Sequence, residues 1–242
     1  IVAAGRRFGK SYLSAWLLLI NAIQSESKDV FYVAPTFQQG KDIMWSLLKE
    51  LGQDLIAAAH ENTATLTLIN GRKIYIKGSD RPDTLRGNAA SFLVLDEYSS
   101  MKPVVWEQIL RPVLADVRGS CLMISTPAGK NHFYDTYKDA LEDDDWDAFQ
   151  FNSTDNPFLP EDEVEAARKN MSSMAFRQEF EASFETGSGG IFDEKWFKVD
   201  DEPEEGNYVI AVDPAGYEAI EKERNLKRSR LDETAIAIVK ID

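Results

Sequence analysis

The amino-acid sequence predicts an α/β fold, a mainly parallel sheet flanked by helices, followed by the first strands of a second domain. Three observations carry that expectation. Apolar runs of strand length alternate with stretches of helical periodicity, the pattern of right-handed crossovers in a parallel sheet. The opening run Ile1-Val2-Ala3-Ala4 leads through Gly5-Arg6-Arg7-Phe8-Gly9 into Lys10-Ser11 and a helix. A second run, Phe92-Leu93-Val94-Leu95, ends in the adjacent carboxylates Asp96 and Glu97. It reads as a buried parallel strand, whose carboxyl end is where α/β sites form.

Leu13, Trp16, Leu17 and Ile20 recur at helical spacing after Lys10, which predicts a helix to about Gln24. Val30 to Ala34 reads as a strand closed by Pro35. Phe37 to Leu51 reads as a helix with Ile43, Leu47 and Leu51 on one face. Thr65 to Ile69 and Arg72 to Lys77 alternate apolar and polar residues around Asn70-Gly71, predicting a hairpin at a sheet edge. Pro103 opens a helix through Leu114, and Cys121 to Ser125 is a further strand running into Thr126-Pro127. Trp146 to Phe151 is a candidate for one more. Helices are expected over Glu161 to Asn170 and Met174 to Phe184, the second amphipathic through Phe176, Phe180 and Phe184. The run Gly187-Ser188-Gly189-Gly190 and the acidic run Asp200-Asp201-Glu202-Pro203-Glu204-Glu205-Gly206 then break regular structure. The expected division is a domain over 1–184, a linker over 185–206 and a second domain starting in 207–242.

Gly5 to Ser11 has the parts of a phosphate-binding loop. Such a loop needs backbone N–H groups turned inward, a lysine to reach the outer phosphates and a hydroxyl for Mg²⁺, here Lys10 and Ser11. The helix starting near Lys10 adds the positive end of its dipole. The usual spacing calls for glycine where Ala4 stands, whereas here Gly5 follows one step later and Arg6 and Arg7 crowd the loop. A plain strand–turn–helix with Gly9 as turn residue shares these letters, and the Asp96-Glu97 strand decides for a nucleotide site. Asp96 supplies a second metal-holding group, and Glu97 a group to orient the attacking water. The expected cofactors are ATP and Mg²⁺, and the expected reaction is ATP hydrolysis.

A hydrophobic content of 43% over 242 residues is enough for a sizeable core. A net charge of −14 argues against a uniformly basic nucleic-acid-binding surface but leaves room for local basic patches. No apolar run approaches the ~18 residues a membrane span requires, and no basic segment precedes the apolar start as in a signal peptide. The single cysteine, Cys121, reads as a buried strand residue of a reducing cytoplasm, and His60 and His132 are too few for a zinc site. The chain starts inside a strand pattern and stops inside another, so a fragment is expected, with an N-terminal piece missing and the second domain truncated.

In that second domain the apolar run Tyr208 to Val212 ends at Asp213, and Asp232-Glu233-Thr234 leads into another β-rich run. RNase H-like nucleases begin this way and gather carboxylates around two divalent metals. A strand–turn–strand with an aspartate at the turn is also commonplace, so these residues alone leave both readings open.

Taken in order, these elements resemble the large terminase subunit of tailed bacteriophages, the motor that pumps DNA into an empty capsid. The resemblance covers essentially the whole chain. It rests on the arginine-bearing loop Gly5 to Ser11, on Thr84-Leu85-Arg86-Gly87, on Asp96-Glu97 and on Ser125-Thr126-Pro127, which is similar to the family's coupling motif. Asn156-Pro157 with Phe176-Arg177-Gln178-Glu179-Phe180 looks like its linker region, and Ala211-Val212-Asp213-Pro214-Ala215 like the first strand of its nuclease. The resemblance implies a P-loop ATPase, with Walker A and Walker B segments, followed by the first strands of an RNase H-like nuclease domain.

The roles it implies are specific. Lys10 would bind the β- and γ-phosphates, Ser11 and Asp96 would hold Mg²⁺, and Glu97 would orient or deprotonate water. Ser125, Thr126 and Pro127 would sense the γ-phosphate. Arg86 would be an arginine finger for a neighbouring subunit, or else a surface arginine paired with Asp83 or Asp96. Arg6 and Arg7 could serve as internal charge stabilisers. Asp213 and Asp232 would hold Mn²⁺ or Mg²⁺ for the nuclease. Implied partners are double-stranded DNA, a portal protein, a small terminase subunit and further copies in a ring, with no membrane, in the host cytoplasm. Lys130 and the run Lys222, Arg224, Lys227, Arg228 and Arg230 are either DNA contacts or solvated charge. The runner-up functions are a helicase-like DNA-dependent ATPase and a nucleotide-binding packaging scaffold.

Overall fold

A computed structural model describes residues 1–87, 89–185, 207–213 and 235–241. In chain order the elements are β1 (Val2–Ala4), α1 (Lys10–Gln24), β2 (Asp29–Ala34), α2 (Phe37–Leu51), β3 (Ile56–His60), β4 (Thr65–Leu68), β5 (Lys73–Gly78) and β6 (Ala90–Asp96). They continue as α3 (Arg111–Ala115), β7 (Ser120–Ser125), α4 (His132–Ala140), β8 (Phe149–Phe151), α5 (Glu161–Asn170) and α6 (Ser173–Phe180). All belong to one unit, Ile1–Phe192. A second unit, Asp193–Asp242, contains β9 (Asn207–Asp213) and β10 (Ala235–Ile241).

The first unit is built on an eight-stranded sheet in the order β3-β4-β5-β2-β6-β7-β1-β8. From β5 to β8 every neighbouring pair is parallel, as the alternation of strands and helices predicts. The chain crosses from β1 through α1 to β2 on one side, and later passes from β7 through α4 to β8 on the other. The winding therefore reverses at β1, the position beyond whose carboxyl end α/β sheets hold ligands. The expected hairpin, β4 and β5, lies toward the sheet edge, antiparallel around Gly71 at φ 81°. It is extended by β3, which the sequence does not announce. Ile56-Ala57-Ala58-Ala59-His60 has little β propensity, and pairing with β4 alone makes it a strand.

Alternation along the strands splits the core. Val30, Tyr32 and Ala34 of β2 face one apolar layer with Leu18 and Leu48, while Phe31 and Val33 face the other with Leu93, Val105 and Phe133. Helix α1 packs on the first layer through Ser14, Ala15, Leu18, Leu19 and Ala22. Its small residues let it lie close to the sheet. Of the residues whose spacing predicts it, Leu13, Trp16 and Ile20 are exposed and Leu17 is half-buried against the first layer, so the periodicity finds the helix largely through its opposite face.

Other boundaries shift for identifiable reasons. The helix begun at Pro103 contains a π-helical stretch over Val105–Leu110 before α3. Helix α6 ends at Phe180, because Ala182 takes a left-handed φ of 50° and turns the chain. Phe184 thus leaves the expected helix face and packs against Phe133, Tyr134 and Tyr137. The strand expected from Trp146 starts at Phe149, and Trp146 instead meets Trp106 edge-on. Helix α4 has no clear periodicity in its polar sequence; Asn131 caps it by accepting the Phe133 N–H. Cys121 is half-buried at the start of β7 rather than fully buried, and burial still pushes its thiol up to about 12.

In the second unit β9 and β10 form an antiparallel pair, with Asp213 opposite Ala235. Asp232, Lys222, Arg224, Lys227, Arg228 and Arg230 lie outside the described residues. Among the described residues no helix is long and apolar enough to cross a membrane.

Leu93→Ala, which empties a fully buried site in β6, should destabilise the chain by about 2–5 kcal/mol in urea unfolding, against less than about 1 kcal/mol for the exposed Leu13→Ala. With its thiolate suppressed, native Cys121 should react with iodoacetamide at pH 8 at least ~100-fold more slowly than free cysteine, and the difference should vanish on unfolding.

Candidate active site

Strand β1 delivers the loop Gly5 to Ser11 to the carboxyl edge of the sheet, and distant segments fix its path. The Gly5 N–H donates to the Phe151 carbonyl at 3.1 Å and the Arg6 N–H to the Glu179 carbonyl at 2.7 Å. Ser153 Oγ donates to the Arg6 carbonyl at 2.6 Å, and Asn156 Nδ2 to the Arg7 carbonyl at 2.7 Å. A Cβ on Gly5 would lie 2.4 Å from Ser153 Oγ and 2.6 Å from the Phe180 carbonyl. That crowding accounts for glycine one step later than the usual pattern. Gly9, at φ 114°, is the left-handed residue that starts α1. Phe8 stacks on Phe151 with ring centres 4.7 Å apart.

Lys10 is buried, and its Nζ donates to the Ala4 carbonyl at 2.7 Å, the Gly5 carbonyl at 2.9 Å and Thr126 Oγ1 at 3.1 Å. All three ammonium protons thus have acceptors. Burial pushes the Lys10 pKa below the ordinary lysine value, and the charges of Glu97 and Asp96 oppose that shift.

Asp96 ends β6 and is only 4% exposed. Tyr32 on β2 donates its hydroxyl to one carboxylate oxygen, and the Glu97 N–H donates to the other at 2.9 Å. Burial raises the Asp96 pKa; the bonds from Tyr32 and Glu97 and the charge of Lys10 oppose it. Glu97 leaves the strand in a left-handed conformation, φ 52° and ψ 46°, uncommon for a residue with a side chain. Its pKa is raised by burial first and by the Asp96 charge second.

Ser125 at the end of β7 links this turn to the next strand. Its Oγ lies 3.3 Å from Glu97 Oε2 and 2.7 Å from Ser99 Oγ. Asn131 Nδ2 donates to the Ser99 carbonyl at 3.1 Å, and a His132 ring nitrogen lies 2.9 Å from the Tyr98 carbonyl. The amino end of α4 therefore steadies the turn that carries Glu97.

These groups face an open cavity of about 1200 Å³, lined by Arg6 to Tyr12, Glu97, Ser99, Thr126 and Pro127 among others. The structure thus gathers the loop, Glu97 and the Ser125-Thr126-Pro127 segment, with Asp96 just beneath. Ser11 and Asp96 offer only oxygen donors, and a carboxylate accepting two hydrogen bonds keeps spare lone pairs. That donor set fits a hard cation such as Mg²⁺, which takes its other ligands from water and phosphate.

Other predicted residues lie elsewhere. Arg86 is exposed, with Nε 3.5 Å from Asp83 Oδ1, and does not line the cavity. Arg6 pairs with Glu179. Lys130 lies over the Tyr134 ring, in a separate cleft of about 680 Å³ that also contains Arg168 and Arg177. Sequence reasoning misses Tyr32, Ser99, Asn131, Asn156 and Ser153 as site residues. Asn156 is noticed only as part of the segment that resembles the family's linker region, and the others act through partners distant in sequence or on a turn with no motif of its own.

Comparison with known proteins follows the same lines. The family described as terminase large subunit, T4likevirus-type, N-terminal, matches residues 1–199. A large terminase subunit of Escherichia phage T5 is 31% identical over 198 residues, which cover 78% of this chain and 44% of that protein. The large terminase ATPase domain of Thermus phage P74-26 superposes with a TM-score of 0.65 at 23% identity, covering 76% of this chain and 87% of that one. A large terminase from a thermophilic bacteriophage, in complex with ADP, gives 0.64 at 18% identity, over 88% of this chain and 56% of that one. These two structural likenesses are likenesses of fold. The chain spans less than half the length of the curated relatives it matches, 44% and 47%.

Tyr32→Phe removes the hydroxyl donor to a buried carboxylate without changing packing, and should lower stability by about 1.5–3 kcal/mol in urea unfolding at neutral pH. An unchanged midpoint would show that the bond contributes nothing.

Proposed function

The chain belongs to the terminase large subunit family, and on that premise we propose that residues 1–184 hydrolyse ATP to move double-stranded DNA into a viral procapsid. The observation that carries this reading is the approach of Lys10, at the start of α1, and Glu97, just past the end of β6, to one cavity. Phosphoryl transfer to water needs both groups on the same phosphate chain. Family membership favours the packaging motor over a helicase-like ATPase. Lys10, Ser11, Asp96 and Glu97 together favour turnover over a scaffold that only binds nucleotide.

In this mechanism Lys10 exchanges the Ala4 and Gly5 carbonyls for β- and γ-phosphate oxygens, which as anions are the stronger acceptors. The amino end of α1 adds its dipole to the same anion. Ser11 and Asp96 would hold Mg²⁺, which when bound neutralises charge on the phosphate oxygens. Glu97 orients the attacking water, and its raised pKa suits a group that takes up a proton. Thr126 touches Lys10 and Ser125 touches Glu97, so the coupling segment adjoins both partners of the γ-phosphate.

The exposed position of Arg86 away from its own cavity supports a finger given to a neighbouring subunit, in a ring. Arg6 and Arg7, which line the cavity, are the candidates for stabilising charge within one subunit. In the second unit Asp213 and Asp232 are the proposed ligands of Mn²⁺ or Mg²⁺ in an RNase H-like nuclease. Portal protein and small terminase subunit are the proposed partners, the host cytoplasm the proposed location, and Lys130 with the run Lys222 to Arg230 the proposed DNA contacts.

Glu97→Gln should leave Mg·ATP binding largely intact while turnover collapses, because the change acts on the transition state; Lys10→Ala should weaken binding as well. Near-normal turnover by Glu97→Gln would remove Glu97 from this role. A finger acting in trans is worth ~10³ or more in rate, so mixing Arg86→Ala with Lys10→Ala protein should restore measurable ATPase activity. No rescue in a demonstrated ring would transfer the role to Arg6 or Arg7.

A further inference from the structure

The cavity beside the phosphate loop has an aromatic side chain that the chemistry above leaves unused. Phe158 is 91% exposed, the most exposed of the large apolar side chains described. Its backbone is nonetheless held in place. The Asn156 side-chain oxygen accepts the Phe158 N–H at 3.0 Å, while the same amide donates through Nδ2 to the Arg7 carbonyl at 2.7 Å. One side chain thus ties the aromatic residue to the phosphate loop, across a proline whose φ is fixed.

Topology gives the cavity two sides. Glu97 and Thr126 follow β6 and β7, which lie on one side of β1, whereas 156–158 follow β8, on the other. A triphosphate lying on the loop with its terminal phosphate toward Glu97 directs its opposite end toward the β8 side. We propose that Phe158 is the platform on which the base of the nucleotide stacks, an inference that rests on the nucleotide-binding reading above. An aromatic face on a fixed backbone holds a base by dispersion and by removing apolar area from water, without reading its edge. The ligand class is therefore a nucleoside triphosphate, with the base recognised by its stacked face. A lone exposed phenylalanine is otherwise unremarkable on a protein surface, and the experiment separates the two.

Binding of ATP and of tripolyphosphate, which lacks sugar and base, is measured on the 242-residue chain and its variants. Phe158→Ala is expected to weaken ATP roughly 5- to 20-fold while tripolyphosphate affinity stays within about twofold. Phe158→Trp should keep ATP affinity near that of the unaltered chain. Its indole emission, taken as the difference from the five native tryptophans, should fall on adding ATP and not on adding tripolyphosphate. Unchanged ATP affinity in Phe158→Ala, equal weakening of both ligands, or an emission change common to both would overturn the platform. If the unaltered chain binds neither ligand, or Lys10→Ala binds both as well as it does, the nucleotide site itself falls and the platform with it.

Discussion

A single buried ammonium group organises this protein. Lys10 lies where the carboxyl ends of β1 and β7 meet, and burying its charge is tolerable only because three acceptors and two nearby carboxylates surround it. Two of those acceptors are backbone carbonyls, that of Ala4 at the end of β1 and that of Gly5 at the start of the proposed phosphate loop. Lys10 is therefore held by the end of β1, the loop and Thr126, and in the proposed mechanism an incoming phosphate would replace neutral acceptors with charged ones.

The carboxylate side is built on the same principle. Burial raises the pKa of Asp96 beside the site, and the Tyr32 hydroxyl and the Glu97 N–H oppose that shift. Glu97 is swung out of the strand by a left-handed backbone, and the Ser99–Ser125 pair and the amino end of α4 brace that turn. The loop itself is clasped from behind by Ser153, Asn156 and the end of α6.

Much of this was legible in the sequence because the decisive signals are local. The run Phe92 to Asp96 is apolar up to its terminal carboxylate because both of its faces are buried, and it could be read as a central parallel strand without any partner in view. Gly9-Lys10-Ser11 is also a local signal, but it is shared by plain strand–turn–helix units and needs the Asp96-Glu97 strand beside it to point to a nucleotide. What the sequence does not explain depends on distance. Gly5 departs from the usual loop because Ser153, whose hydroxyl bonds the loop 147 residues away in sequence, approaches there. Strand β3 exists through β4, and Phe184 leaves its expected helix because Ala182 turns the chain. In α1 the spacing of Leu13, Trp16 and Ile20 is helical, but the face that actually meets the sheet carries Ser14, Ala15 and Ala22 beside its leucines. Periodicity reports that a helix exists; it does not report which of two apolar faces the core selects.

The most direct test is a crystal structure of this chain with Mg²⁺ and a non-hydrolysable ATP analogue. The account predicts the triphosphate on the loop from Gly5 to Ser11, with Lys10 Nζ on phosphate oxygens and no longer on the Ala4 and Gly5 carbonyls, and Glu97 facing the terminal phosphate. A nucleotide bound elsewhere, for instance in the cleft of Lys130, Arg168 and Arg177, with Lys10 keeping its three protein acceptors, would contradict it.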